Sequence, residues 1–256
     1  MLPYLPLGPF ILQTTGLALL IGVWIGIKLV EKEAIRLKIN PDWIYNLVFI
    51  GLVSGLIGAR LSYASRSLNV YLQNPLSFIS LNTNTLSPGD GLIIGLVAAF
   101  IYGWRKQLPF RTALDVLTPG LSIFLVFFGA SHFLNGDAFG SPTSAPWSIY
   151  LWDADRHPSQ VYEILAALFV FIIVWKRPLA ALGQGINFLT ALALTAAARV
   201  FLETFRGDSL FWPGGFRSTQ VVGLLVVMAA LWLMRSWAEP GVKRAEASLP
   251  VEAHLN

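Results

Sequence analysis

The sequence predicts an all-α polytopic membrane protein of seven transmembrane helices, with the N-terminus outside and the C-terminus cytoplasmic. Three observations carry this. The chain is 55% hydrophobic and only 12% charged, about half the charged share of an ordinary soluble domain. Apolar runs near bilayer length follow one another along it. The basic residues gather in the short segments between alternate runs, the bias that orients membrane proteins.

A membrane helix needs roughly 20 predominantly apolar residues. The first predicted span is 10–30; no basic segment precedes it, so it reads as a retained span and not a signal peptide. The second, 43–63, follows Pro41 and carries Arg60 near its end. The third, 91–104, is short and is expected to begin in a broken, Gly-rich turn at 87–91. The fourth, 115–132, ends on His132. The fifth, 159–175, follows Pro158 with Ser159 as N-cap. The sixth, 186–205, holds Arg199 and Glu203 one helical turn apart. The seventh is 219–237. Together 1–237 form one membrane domain. The polar stretch 238–256, with Pro240, Gly241 and Pro250, is expected to be a flexible cytoplasmic tail.

Charge orients the spans. Twelve basic residues follow spans one, three, five and seven: Lys28, Lys32, Arg36, Lys38, Arg105, Lys106, Arg111, Lys176, Arg177, Arg235, Lys243 and Arg244. Only Arg66, Arg156, Arg206 and Arg217 lie in the alternate loops. The positive-inside bias places the second set outside. Loops 64–90, 132–158 and 207–218 then face out.

Several function classes drop away. The net charge of +4 is spread between apolar runs, so no nucleic-acid partner is expected. Cysteine is absent, which removes disulfides, a thiolate nucleophile and Cys metal sites. No Gly-rich phosphate loop or Ser-centred nucleophile elbow appears. Two histidines in the loop region, without His/Glu spacing on one helix, make no metal site, and no cofactor is expected. A transporter is disfavoured because the span charges gather at one face and do not cross the midplane.

Ionisable groups in spans are costly and face a bundle interior or a wet cavity. Arg60, Glu163, Arg199 and Glu203 all fall near the predicted outer ends of their spans. The stretch 129–163 adds His132, Asp137, Arg156 and His157 at the same depth. Two readings stand side by side. These groups line an outward-opening polar cavity, or they form a charge-balanced lock pairing Arg199 with Glu203 and Arg60 with Glu163. His157 reads either as a loop residue capping span five or as a proton acceptor. His132 reads either as an interface histidine bonded to backbone or as a site residue. Asp137 has the simpler reading of a turn residue, and His254 lies in the polar tail.

The segments GARLSY (58–63), FLNGDAFGSPT (133–143), RHPSQVYE (156–163) and RVFLETFR (199–206), with a weaker LDVLTPG (114–120), resemble the bacterial prolipoprotein diacylglyceryl transferases. The resemblance runs from about residue 8 to residue 237. It implies transfer of the diacylglyceryl group of phosphatidylglycerol to the Cys thiol of a lipoprotein signal peptide, with release of glycerol phosphate. It also implies a multi-pass protein of the bacterial plasma (inner) membrane with its site facing outward. The partners are then phosphatidylglycerol or a similar anionic phospholipid, a lipoprotein precursor and the membrane.

The candidate residues are His132, Asp137, His157 and Glu203 as catalytic, and Arg60, Asn135, Gly140, Gln160, Glu163 and Arg199 as substrate-binding; His132 is not the family's residue at its place and is read as a replacement for the missing base, with Asp90 to orient it. Arg60 and Arg199 would hold the lipid phosphate; Glu163 and Glu203 would orient them; His157 and Gln160 would shape the outer mouth. The chain also departs from the family pattern. Gly89 stands at the family's His before span three, with Asp90 beside it. Gly129 stands at its Arg, His132 at its first Asn and Asp137 at its Glu. Thr15 and Thr195 stand at tyrosines. These departures keep a second reading open: a catalytically impaired descendant acting as a lipid-binding accessory subunit of a membrane complex.

Overall fold

A computed structural model describes residues 4–7, 10–66, 68–69, 85–176 and 182–247, and among these residues seven α-helices carry the chain. A hairpin of β1 (Tyr4–Leu7) and β2 (Phe10–Gln13) leads into α1 (Thr14–Arg36). Then come α2 (Pro41–Arg66), α3 (Pro88–Arg105) and α4 (Phe110–Asn135). A second hairpin, β3 (Ile149–Leu151) with β4 (Ala154–Arg156), precedes α5 (Ser159–Lys176). After it come α6 (Ile186–Leu202), a 3-10 turn (Glu203–Phe205) and α7 (Ser218–Ala247).

Each of the seven predicted spans falls mainly on a helix, and six of the described helices are long and apolar enough to cross a membrane; the exception is α3. The start of the first span needs correction. Residues 10–13 form a strand, because a short apolar run reads alike for strand and helix until length separates them. The expected broken turn at 87–91 is also corrected. Pro88 opens a regular helix, where its missing N–H costs nothing, and Asp90 lies in the first turn at the positive end of the helix dipole. The last helix continues to Ala247, past residue 237. Most of the 64–90 loop, Arg177, and the end of the tail with His254 lie outside the described residues.

The chain forms two compact units where the sequence suggested one domain: Ala34–Ala113, and Met1–Glu33 with Leu114–Asn256. In the first, α2 and α3 pack backbone against backbone. A Cβ at Gly91 would lie 2.6 Å from the Gly55 carbonyl oxygen, and one at Gly95 2.6 Å from that of Gly51. Small residues four apart on both helices permit this approach, which a bilayer rewards through dispersion and not through water exclusion.

In the second unit, Gly26 of α1 meets the Gly120 carbonyl of α4 at 3.1 Å from an added Cβ. Val170 and Val174 of α5 pack on Ala191 of α6. Leu189 and Ala193 of α6 pack on Ala230 of α7. The Asp115 carboxylate accepts the backbone N–H groups of Gly185 (2.6 Å) and Phe188 (3.0 Å), tying the start of α4 to the start of α6. The opposite end of this bundle holds the candidate site.

Candidate active site

The site is built on the first turn of α5, which a loop of the second unit fixes in place. Positive φ at Gly136 (80°) and Ala138 (53°) turns the chain back after α4. Buried Ser159 Oγ then donates to the Ala138 carbonyl at 2.5 Å, and buried Gln160 Nε2 donates to the Asp137 carbonyl at 2.8 Å. The loop next threads between β4 and the end of α6. Ser141 N–H donates to the Phe205 carbonyl (2.8 Å), Gly207 N–H to the Phe139 carbonyl (2.9 Å), and His157 N–H to the Ser141 carbonyl (3.1 Å). Gly140 lies where these backbones meet: a Cβ there would run into the His157 carbonyl.

Glu163, one turn into α5, collects the charges. Its Oε1 accepts from Arg199 Nη1 and from Arg206 Nη1, the latter at 2.9 Å. Its Oε2 lies 3.2 Å from His132 Nδ1. Three elements therefore converge on one carboxylate: the end of α4, the end of α6 and the segment after the 3-10 turn. The i,i+4 pairing of Arg199 with Glu203 is replaced. The α-helix ends at Leu202, and the tighter 3-10 turn carries Glu203 off the face that bears Arg199. Glu203 is 1% exposed; its Oε2 lies 3.9 Å from Arg206 Nε and makes no hydrogen bond among the described residues.

The two arginines differ in what they leave free. Each guanidinium nitrogen of Arg206 makes a bond: Nε and Nη2 donate to the two Asp208 oxygens at 2.9 and 2.7 Å, and Nη1 holds Glu163. Burial opposes its charge, but the hydrogen bonds and charge of Asp208, with Glu163 and Glu203, outweigh it and raise the guanidinium pKa above its ordinary value. Arg199 makes only the Glu163 bond among the described residues. It also lines a cavity of about 590 Å³ between α4, α5, α6 and α7. The walls are mostly apolar, including Leu125, Phe128, Val170 and Val226, with Glu163, Arg199, Thr195, Ser218 and Thr219 as polar groups. An apolar chamber with one bonded arginine and acid in its wall suits an amphiphile with an anionic head.

The other predicted residues take supporting places. His157 Nδ1 lies 3.3 Å from the Tyr162 hydroxyl, and its ring packs on Phe205 at 5.2 Å. Asp137 and Asn135 bond to each other at an exposed turn. Gln160 leaves its buried Oε1 without a hydrogen bond among the described residues. Arg60 belongs to the other unit, where its Nη1 donates to the Thr85 carbonyl at 3.0 Å. Beside it, Ser62 Oγ (2.5 Å) and Arg66 Nη2 (2.6 Å) bind Asp90 Oδ2. Gly129 has no room for a side chain as packed, since a Cβ would lie 2.9 Å from Ile164 Cγ1.

Arg206 and Asp208 are the site residues that sequence reading missed. The signal was present, because RVFLETFR ends on Arg206, but its position past the span suggested a loop cation.

A family model described as prolipoprotein diacylglyceryl transferase matches residues 4–236. Among curated proteins, the phosphatidylglycerol–prolipoprotein diacylglyceryl transferase of Clostridioides difficile is 29% identical over 84% of this chain and 87% of its own. The protein of that name from Trichormus variabilis is 30% identical, covering 88% of this chain and 85% of its own. That from Finegoldia magna is 26% identical, covering 90% and 93%.

Proposed function

Because the chain belongs to the prolipoprotein diacylglyceryl transferase family, we propose that it moves the diacylglyceryl group of phosphatidylglycerol onto the Cys thiol of a lipoprotein precursor. The observation that carries this is the single-bonded Arg199 in the wall of a mostly apolar cavity between four helices. The acyl chains occupy the space between α4, α5, α6 and α7. The phosphate meets the remaining N–H donors of Arg199.

In the reaction the thiolate sulfur attacks the glyceryl carbon that bears the phosphate ester. A C–S bond forms, the C–O bond breaks, and its electron pair leaves on glycerol phosphate. Charge grows on that oxygen as the bond breaks, so a guanidinium already held in place stabilises the transition state more than the ground state. Glu163 keeps Arg199 in place, and Arg206 with Asp208 keeps Glu163 in place. The nucleophile belongs to the substrate, so a chain without cysteine suffices. Every relative described above carries the transferase name, and no feature of the site favours a lipid-holding accessory subunit.

The protein is a multi-pass membrane protein. The charge bias supports an orientation in the bacterial inner membrane with the Glu163 end of the bundle facing out. The test is reconstitution in vesicles containing phosphatidylglycerol with a lipobox peptide. Glycerol phosphate release is expected, and Arg199→Ala should slow it about 10²–10³-fold and strip co-purifying lipid. No release at high protein concentration would remove the transfer reading; unchanged lipid in the variant would remove the role of the cavity.

A further inference from the structure

We propose that His132 and Glu163 form an imidazole–carboxylate dyad in which His132 Nε2 takes the proton from the attacking thiol. The proposal rests on the transfer reading above and names its base. A carboxylate oxygen only accepts, so the ring nitrogen 3.2 Å from Glu163 Oε2, Nδ1, carries the hydrogen. That fixes the tautomer and leaves the lone pair of the neutral ring on Nε2. Nε2 makes no hydrogen bond among the described residues, and the side chain is 20% exposed. The ring is held edge-on to Phe128 at 4.4 Å between centroids. Phe128 and Glu163 both line the cavity, so the ring, one turn along α4, touches two of its wall residues and shares its carboxylate with Arg199.

A base oriented by an acid on its far nitrogen, beside a cation that takes developing anionic charge, is the arrangement that thiol alkylation needs. An amide at 132 would serve Glu163 equally well as a donor; only imidazole also accepts a proton. The charged groups around the ring are Glu163 from α5, Arg199 from α6 and, across the same carboxylate, Arg206 with Glu203 and Asp208. The step balances. The S–H proton passes to Nε2 and the imidazolium is stabilised by Glu163. The thiolate displaces glycerol phosphate, and the proton then leaves to the released phosphate or to water.

The test compares initial rates of glycerol phosphate release for the wild type and His132→Asn, from about pH 6 to about pH 9.5, in phosphatidylglycerol vesicles with the lipobox peptide. Asn keeps the donor to Glu163 and cannot take a proton. At about pH 7 the variant should be about 10²-fold slower. The deficit should shrink to under about tenfold at the alkaline end, where a free thiol, with pKa about 8.5, ionises unaided. Co-purifying phosphatidylglycerol should be unchanged, as befits a base and not a lipid anchor. A variant within about twofold of wild type near neutrality, or a deficit of equal size at every pH, overturns the dyad while leaving the transfer reading intact.

Should the variant fail to fold, the wild type alone decides. The dyad gives a rate that levels off below the pH at which a free thiol ionises. A rate that climbs about tenfold per pH unit up to the thiol's own ionisation overturns it. A wild type inactive at every pH overturns the transfer reading first, and the dyad with it.

Discussion

At Gly140 two stretches of backbone approach so closely that only hydrogen fits between them. A methyl group there would strike the His157 carbonyl, and the Gly140 carbonyl in turn lies 2.7 Å from where a Cβ of Gly207 would be. The same crossing holds the loop hydrogen bonds that seat Ser159 and Gln160, and through them the first turn of α5 that presents Glu163. Gly140→Ala should therefore lower stability by about 1–3 kcal/mol and reduce transfer together with it, read as a fall in the unfolding midpoint in detergent and a lower rate of glycerol phosphate release. A normal midpoint with normal activity would show that the loop yields without loss. Gly140 thus acts through backbone geometry, whereas Arg199 acts through donors left free. Arg206, with all three of its guanidinium nitrogens bonded, serves as a positioning residue.

Among elements, the α2–α3 pair shows how helices adhere where water supplies no driving force. Gly51 and Gly55 face Gly91 and Gly95 across a seam with no side chain between the backbones. Gly95→Ala places its Cβ 2.6 Å from the Gly51 carbonyl and should cost about 1–3 kcal/mol. Gly103→Ala, on the same helix, meets only ordinary contacts at 3.5 Å or more. It should be neutral or stabilising by about 0.4–1 kcal/mol, since Ala restricts the unfolded chain. Thermal unfolding of the two variants in detergent checks the contrast, and equal midpoints would show that the seam opens easily. The end of α6 makes a related point: a single 3-10 turn removes Glu203 from the Arg199 face and hands Arg199 to Glu163.

At the scale of the whole molecule, the absence of cysteine offers a clean test of orientation. Tyr150, 73% exposed in the β3–β4 hairpin, belongs to the loop that the charge bias puts outside. Lys106, exposed after α3, belongs to the basic set inside. Tyr150→Cys should react with a membrane-impermeant maleimide on intact cells, and Lys106→Cys only after the membrane is opened. The reverse pattern would invert the topology and place the site on the cytoplasmic side.

Hydropathy and charge spacing determined, from sequence alone, the helical class, the approximate spans and the motifs that carry the family resemblance. These are local properties: a bilayer reads each apolar run separately, and one segment of 20 residues suffices to show it. They also marked Glu163, Arg199 and His132 as groups out of place in hydrocarbon. Only the tertiary structure decided that Arg199 and His132 share the Glu163 carboxylate, that Arg206 and Asp208 hold it in place, and that a mostly apolar cavity opens beside Arg199. It also decided that residues 10–13 form a strand and that glycines join α2 to α3. The reason is physical. Partners for a charged side chain or a bare backbone come from segments far apart in the chain, and which faces meet depends on how the helices pack and where each one ends.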